Sequence, residues 1–82
     1  MEIKILGTGC PNCNRLEKNT RAALALMDSQ AAVTKVTEMD DITAYDILAT
    51  PGLVINGKVV SSGRVPTVSE ITSMIGAAMI AR

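Results

Sequence analysis

The sequence predicts an α/β fold of order βαβαββα, in which four strands form a mixed sheet flanked by three helices. Three observations carry that prediction. A short polar–apolar alternation is followed by a helix-spaced run and then a β-branched run, which is the pattern of a βαβ crossover. Asn56-Gly57 stands between two β-rich runs, the strongest short signal for a hairpin. Thr67-x-x-Glu70 is a capping box opening a final apolar helix. With 82 residues, the chain suffices for one domain, residues 1–82, and is too short for two.

Each element has its own local reason. Ile3 and Ile5 alternate with Glu2 and Lys4, so residues 2–6 read as a short strand. Gly7-Thr8-Gly9 breaks it. Pro11 suits a first helical position, where its missing N–H costs nothing. Cys13, Leu16, Thr20, Ala23, Leu24 and Met27 then recur at helical spacing, with Arg15, Glu17, Lys18 and Arg21 on the other side. The helix is expected to end near Asp28 to Gln30. Ala31 to Thr37 reads as a second strand, parallel to the first because a helix-length crossover joins them. Asp40 or Asp41 is expected to cap a short helix running to about Leu48, which Thr50-Pro51 stops. Residues 53–55 and 58–60 form the hairpin strands about Asn56-Gly57, and Ser61 to Pro66 reads as a loop. The last helix is expected to bury Val68, Ile71, Met74, Ile75, Ala78 and Met79. Ala77 and Ile80, off that stripe, hint at a weak dimer of an otherwise monomeric chain. Lys4 and Lys35 are expected to face solvent or a sheet end, and Tyr45 to be partly buried.

Composition excludes several classes. Eight basic side chains balance eight acidic ones, and Tyr45 is the only aromatic residue. Nucleic-acid binding has neither its electrostatic footprint nor its stacking platform. No run approaches the roughly 20 apolar residues of a spanning helix, and the first residues lack the pattern of a signal peptide. A cytoplasmic protein without a membrane segment is expected. No histidine is present, so cysteine hydrolase chemistry of the Cys–His type is excluded in a single chain.

Cys10-Pro11-Asn12-Cys13 carries the chemistry. A thiolate attacks a disulfide and a thiol does not, and an ordinary cysteine is mostly protonated at neutral pH. A helix N-terminus favours the anion through its unpaired N–H groups and its dipole. Cys10 stands at that position and reads as the nucleophile. Cys13, one turn inside and more shielded, reads as the resolving thiol. Pro11 and Asn12 help set the geometry and acidity of Cys10. No cofactor is implied. The blander readings are buried hydrophobic cysteines or an incidental structural disulfide. Zinc needs about four ligands, which this chain supplies only if a dimer shares sites. Copper(I) accepts two soft thiolates and is the alternative reading, a metal carrier. Copper-chaperone domains, however, usually carry Met where this chain has Thr8, and they end on a strand.

Residues 7–13, Thr50-Pro51 before a strand, and residues 54–63 (Val-Ile-Asn-Gly-Lys-Val-Val-Ser-Ser-Gly) together resemble the small redox-active disulfide proteins. These are minimal thioredoxin-like domains, similar also to glutaredoxins. The resemblance implies a thioredoxin-like fold with strand order 2-1-3-4. It implies a thiol–disulfide oxidoreductase exchanging the Cys10–Cys13 couple with protein or small-thiol partners and regenerated by a reductase. It also implies a cis Thr50-Pro51 bond, with Pro51 shielding the sulfurs and the Thr50 backbone pairing with a bound partner, much as an added strand would. The chain departs from better-known relatives in having Thr8-Gly9 where thioredoxin has an aromatic residue. Arg64 and the helix start at Thr67 are the donors open to an anionic ligand, a thin basis for glutathione. Gly52 offers either close approach to a partner backbone or a simple turn.

Overall fold

The computed structural model describes residues 1–47 and 49–80. Strand β1 (Glu2–Leu6) leads to helix α1 (Pro11–Leu26), strand β2 (Ala32–Val36) and helix α2 (Met39–Thr43). Strands β3 (Gly52–Ile55) and β4 (Lys58–Ser62) follow, and then helix α3 (Val68–Ile80). The sheet has the order β2-β1-β3-β4. β1 and β2 are parallel, while β1–β3 and β3–β4 are antiparallel.

The central strands are the apolar ones because both of their faces are covered. Every residue of β3 is buried. In β1 the alternation sends Ile3 and Ile5 to one face, where they pack with Leu16, Ala23, Leu24, Ile71 and Ile75 of α1 and α3. Leu6 faces the other way and joins Val54 and Ile42, with Val36, Tyr45, Ile47 and Val59 around them. Thr20 lies within the core at full burial, and its Oγ1 donates to the Leu16 carbonyl at 2.7 Å, so the hydroxyl is not left unpaired.

The turns fasten this frame. Asn56 and Gly57 both have positive φ, 52° and 82°, as a type I′ turn requires. The Asn56 side chain also accepts from Glu2 N at 3.0 Å while its own N–H donates to Glu2 O at 2.8 Å. The hairpin is thereby pinned to β1. At α3, Thr67 Oγ1 accepts from Glu70 N and Glu70 Oε1 accepts from Thr67 N, at 3.1 and 3.0 Å. The reciprocal capping box is complete.

Four boundaries differ from expectation. α1 stops at Leu26, with Met27 as its C-cap and Asp28 in the left-handed region at φ 52°. α2 is capped by Glu38 in extended conformation, without a side-chain bond. Asp40 and Asp41 are therefore in its first turn, where carboxylates suit the positive end of the helix. α2 also ends at Thr43, because the Tyr45 and Asp46 N–H groups close back on Ile42 and Thr43 and Asp46 turns to φ 61°; the expected end at Leu48 lies outside the described residues. Ser61 and Ser62 belong to β4 rather than to a loop. An irregularity between Leu53 and Val54 absorbs one residue and lets pairing continue to Gly52↔Ser62. Two side chains differ as well. Met79 is 60% exposed, since the core contacts of α3 run through Val68, Ile71, Met74, Ile75 and Ala78. Lys4 is half-buried, and its Nζ donates to the Tyr45 hydroxyl at 3.1 Å.

Candidate functional site

The end of β1 builds the site. Gly7 N donates to Val36 O at 2.9 Å, so the backbone is still held against β2 one residue past the strand. Gly9, at φ 92°, turns the chain. Cys10 then takes the extended conformation of an N-cap, Pro11 opens the helix, and Asn14 N donates to Cys10 O at 3.0 Å. In place of the usual capping oxygen stands a sulfur. Cys10 Sγ accepts from Cys13 N at 3.2 Å.

Cys10 and Cys13 are joined as a disulfide with Cα atoms 5.0 Å apart. Cys13 is 5% exposed, whereas Cys10 is half-buried and Pro11 and Asn12 are exposed. One sulfur therefore faces outward and one inward. The first turn of α1 carries no acidic residue, unlike those of α2 and α3. No neighbouring carboxylate in that turn opposes an anion at Cys10.

Thr50-Pro51 comes from the far side of the sequence. The bond is cis, Pro51 is buried and Thr50 exposed. The pairing Leu6↔Gly52 sets Pro51 at the same end of the sheet as Gly7. The Pro51 carbonyl accepts from Gly63 N at 2.9 Å, which ties this segment to the residue after β4. The fold thus gathers Cys10, Pro11, Asn12, Cys13, Thr50 and Pro51 at one sheet end. A shallow cavity of about 280 Å³ opens beside Thr50, lined by Met39, Ile42, Thr43, Ile47, Ala49 and Thr50. Gly52 is neither a turn nor an opening for a partner. It is a buried strand residue, and the space of its missing side chain is filled by Leu6 and Ile47, whose atoms would lie 3.1–3.4 Å from a Cβ there.

Several charged side chains are paired. Arg21 and Lys35 both reach Glu17, at 3.0 and 3.2 Å, and the Arg21 hydrogen bond foremost holds the Glu17 carboxyl below the usual carboxylate range. Arg64 meets Glu70 at 2.9 Å; that contact, with the Thr67 N–H, lowers the Glu70 carboxyl likewise. Both donors that the sequence offers to an anion, Arg64 and Thr67 N, are thus engaged by Glu70. The hydrogen bond to Tyr45 is the main influence raising the Lys4 ammonium.

One residue of the site escapes the sequence reading. Gly7 is buried, and a Cβ built on it would collide with Cys13 Sγ and stand 3.0 Å from Cys13 Cβ. The only sequence signal is the doubled glycine of Gly7-Thr8-Gly9, read above simply as a strand break.

A four-stranded sheet of order β2-β1-β3-β4 with a Cys-x-x-Cys disulfide at the start of its first helix defines a thiol–disulfide oxidoreductase of thioredoxin-like fold. The Thioredoxin domain family model matches residues 1–76, and the chain belongs to that family. Among curated relatives, a thioredoxin of Methanothermobacter thermautotrophicus is 41% identical over 75 residues, covering 92% of this chain and 97% of that one. A thioredoxin of Methanocaldococcus jannaschii is 36% identical over 69 residues, covering 84% and 79%. Thioredoxin 1 of Thermosipho africanus has a similar fold, with a TM-score of 0.61 over 98% of this chain and 96% of that chain at 18% identity.

Proposed function

We propose that this oxidoreductase reduces disulfides of protein partners through Cys10 as nucleophile and Cys13 as resolving thiol. The observation that carries the assignment is the asymmetry of the pair. Cys10 is the more exposed residue of the pair and sits at the helix N-cap, its Sγ accepting from Cys13 N at 3.2 Å. That donor and the helix end stabilise a thiolate on Cys10 once the disulfide is reduced.

The exchange balances in two steps. The Cys10 thiolate attacks one sulfur of the partner disulfide; a mixed disulfide forms, and the other partner sulfur leaves as a thiolate and takes up a proton. The Cys13 thiol gives up its proton and attacks Cys10 Sγ, the mixed disulfide breaks, and the second partner sulfur leaves. The partner has gained two electrons and two protons, and the Cys10–Cys13 disulfide awaits a reductase. Exposed Thr50, preceding buried Pro51, supports an extended partner segment lying along the backbone there. Pro11 and Asn12, exposed around Cys10, would meet the same segment, and the cavity beside Thr50 suits one of its apolar side chains. Because Glu70 engages Arg64 and Thr67 N, small anionic thiols such as glutathione have the weaker case. A single domain working in the reducing cytoplasm fits this chemistry.

The test is a pair of single variants offered to a cystine-containing protein such as insulin. Cys13→Ser is expected to accumulate a covalent mixed disulfide with the partner, visible by non-reducing mass analysis. Cys10→Ser is expected to trap nothing and to lose turnover. Equal trapping by both variants would overturn the assignment of roles.

A further inference from the structure

Gly7 is a glycine for a reason that its backbone does not explain. Gly9, Gly57 and Gly63 have positive φ, which accounts for the absence of a side chain. Gly7 has no such φ, so its backbone conformation does not itself call for glycine. What excludes a side chain is Cys13. A Cβ on Gly7 would collide with Cys13 Sγ and approach Cys13 Cβ to 3.0 Å.

Neither party to that contact can retreat easily in the oxidised protein. Gly7 is held by its N–H bond to Val36 O at 2.9 Å. Cys13 belongs to α1, and its sulfur is fixed by the bond to Cys10. After reduction that tether is gone, and the Cys13 thiol can turn about its own Cα–Cβ bond. A side chain at position 7 therefore penalises the disulfide more than the dithiol.

We propose that Gly7 is a positioning residue for the resolving sulfur: its missing Cβ provides the seat that Cys13 Sγ occupies in the disulfide, and so biases the couple toward the oxidised form. The inference rests on the Cys10–Cys13 couple being the working one. Gly7 touches neither substrate nor the nucleophile. It acts only through Cys13.

Equilibration with dithiothreitol reads the bias directly. The protein disulfide becomes two thiols while the two thiols of the reagent close into its cyclic disulfide, so electrons and protons balance. For Gly7→Ala, the equilibrium is expected to shift toward the dithiol by tenfold or more, about 30 mV for a two-electron couple. Ala23→Gly, a buried helix change far from the sulfurs, is the control. It lowers stability without favouring either redox form, so its equilibrium should stay within twofold of the parent. A Gly7→Ala equilibrium equally unmoved overturns the proposal. Should the parent form no intramolecular disulfide reversibly, the couple itself fails, and the two failures are separate readouts.

A second comparison holds even if Gly7→Ala folds poorly. Cys13→Ala removes the colliding sulfur and leaves a 3.0 Å approach to the remaining Cβ, which a small shift relieves. The Gly7→Ala/Cys13→Ala double variant is expected to melt close to Cys13→Ala alone. If it unfolds as readily as Gly7→Ala, the glycine serves something other than the sulfur, and the proposal falls.

Discussion

Asn12→Asp in a Cys13→Ser background isolates the electrostatics of Cys10. The second substitution leaves one thiol to titrate, and the first adds one negative charge within the first turn of α1, which has none. Asn and Asp are nearly isosteric, so the backbone should not move. The N-cap sulfur and the side chain two residues on lie about 6 Å apart for an ordinary helix start, and Asn12 is exposed. Coulomb's law at ~6 Å with an effective dielectric of about 40 to 80 gives roughly 0.7 to 1.4 kcal/mol of repulsion. That corresponds to a roughly three- to tenfold fall in the thiolate-to-thiol ratio at a fixed pH. The thiolate ultraviolet absorbance, followed against pH, measures the ratio directly. The parent thiol is expected to ionise below an ordinary cysteine, and the Asn12→Asp variant above its parent. Raising the salt to about 1 M should shrink the difference, because the Debye length falls to about 3 Å. A parent that titrates like a free thiol, or an Asn12→Asp variant indistinguishable from it at low salt, would refute the reasoning that the helix start activates Cys10.

The fold itself offers two further checks. Thr67→Ala removes one half of the reciprocal capping box of α3 and is expected to cost about 1 kcal/mol, a melting-temperature drop of about 4–8 °C for a domain of this size; an unchanged melt would show that Glu70 alone holds the turn. Acid should also weaken the protein through Glu17 and Glu70, whose carboxyls are lowered by Arg21 with Lys35 and by Arg64 with the Thr67 N–H. A depressed folded-state carboxylate contributes stability above its unfolded value, near pH 4.3, and that contribution is lost as the pH falls through the folded value. Denaturant midpoints taken from about pH 6 down to about pH 3 should fall less steeply for Glu17→Gln than for the parent, and identical slopes would refute the linkage. The effect is modest because the basic partners are exposed and water screens each pair.

Much of this architecture is legible because its signals are local. The Asn56-Gly57 turn, the Thr67–Glu70 box and the helical spacing from Cys13 to Leu24 each specify their element within a few residues. The less legible features depend on partners remote in sequence. Whether Ser61 and Ser62 extend β4 depends on Leu53 and Gly52 across the hairpin. Met79 has the spacing of a buried residue, one turn after Ile75, yet the core contact at that end of α3 is made by Ala78 and Met79 is exposed. Asp40 and Asp41 look like caps, yet the cap lies two residues before Asp40, at an extended Glu38. The cysteine pair follows the first pattern. The cis Thr50-Pro51 bond follows the second, since a proline's ring reads equally well as a helix stop, and the family resemblance rather than local chemistry points to it.

Gly7 shows why a site of this kind is only half visible in its motif. A Cys-x-x-Cys motif specifies two sulfurs and the helix that activates one of them. It does not specify where the inner sulfur goes, because that space belongs to the preceding strand end and to whatever holds that strand in place. Here β2 does so, through the bond from Gly7 N to Val36 O. The same strand end aligns Leu6 with Gly52 and hence brings Pro51 to the sulfurs' end of the sheet. One segment, Leu6-Gly7, thus sets both the depth of Cys13 and the position of the proline. A change that shifted the register of β1 by one residue would turn Leu6 out of its cluster with Ile42 and Val54, and it would displace the inner sulfur's seat and the proline together. The seat of the inner sulfur and the position of Pro51 are therefore linked through the placement of this strand end, although Cys13 and Pro51 lie roughly forty positions apart in sequence.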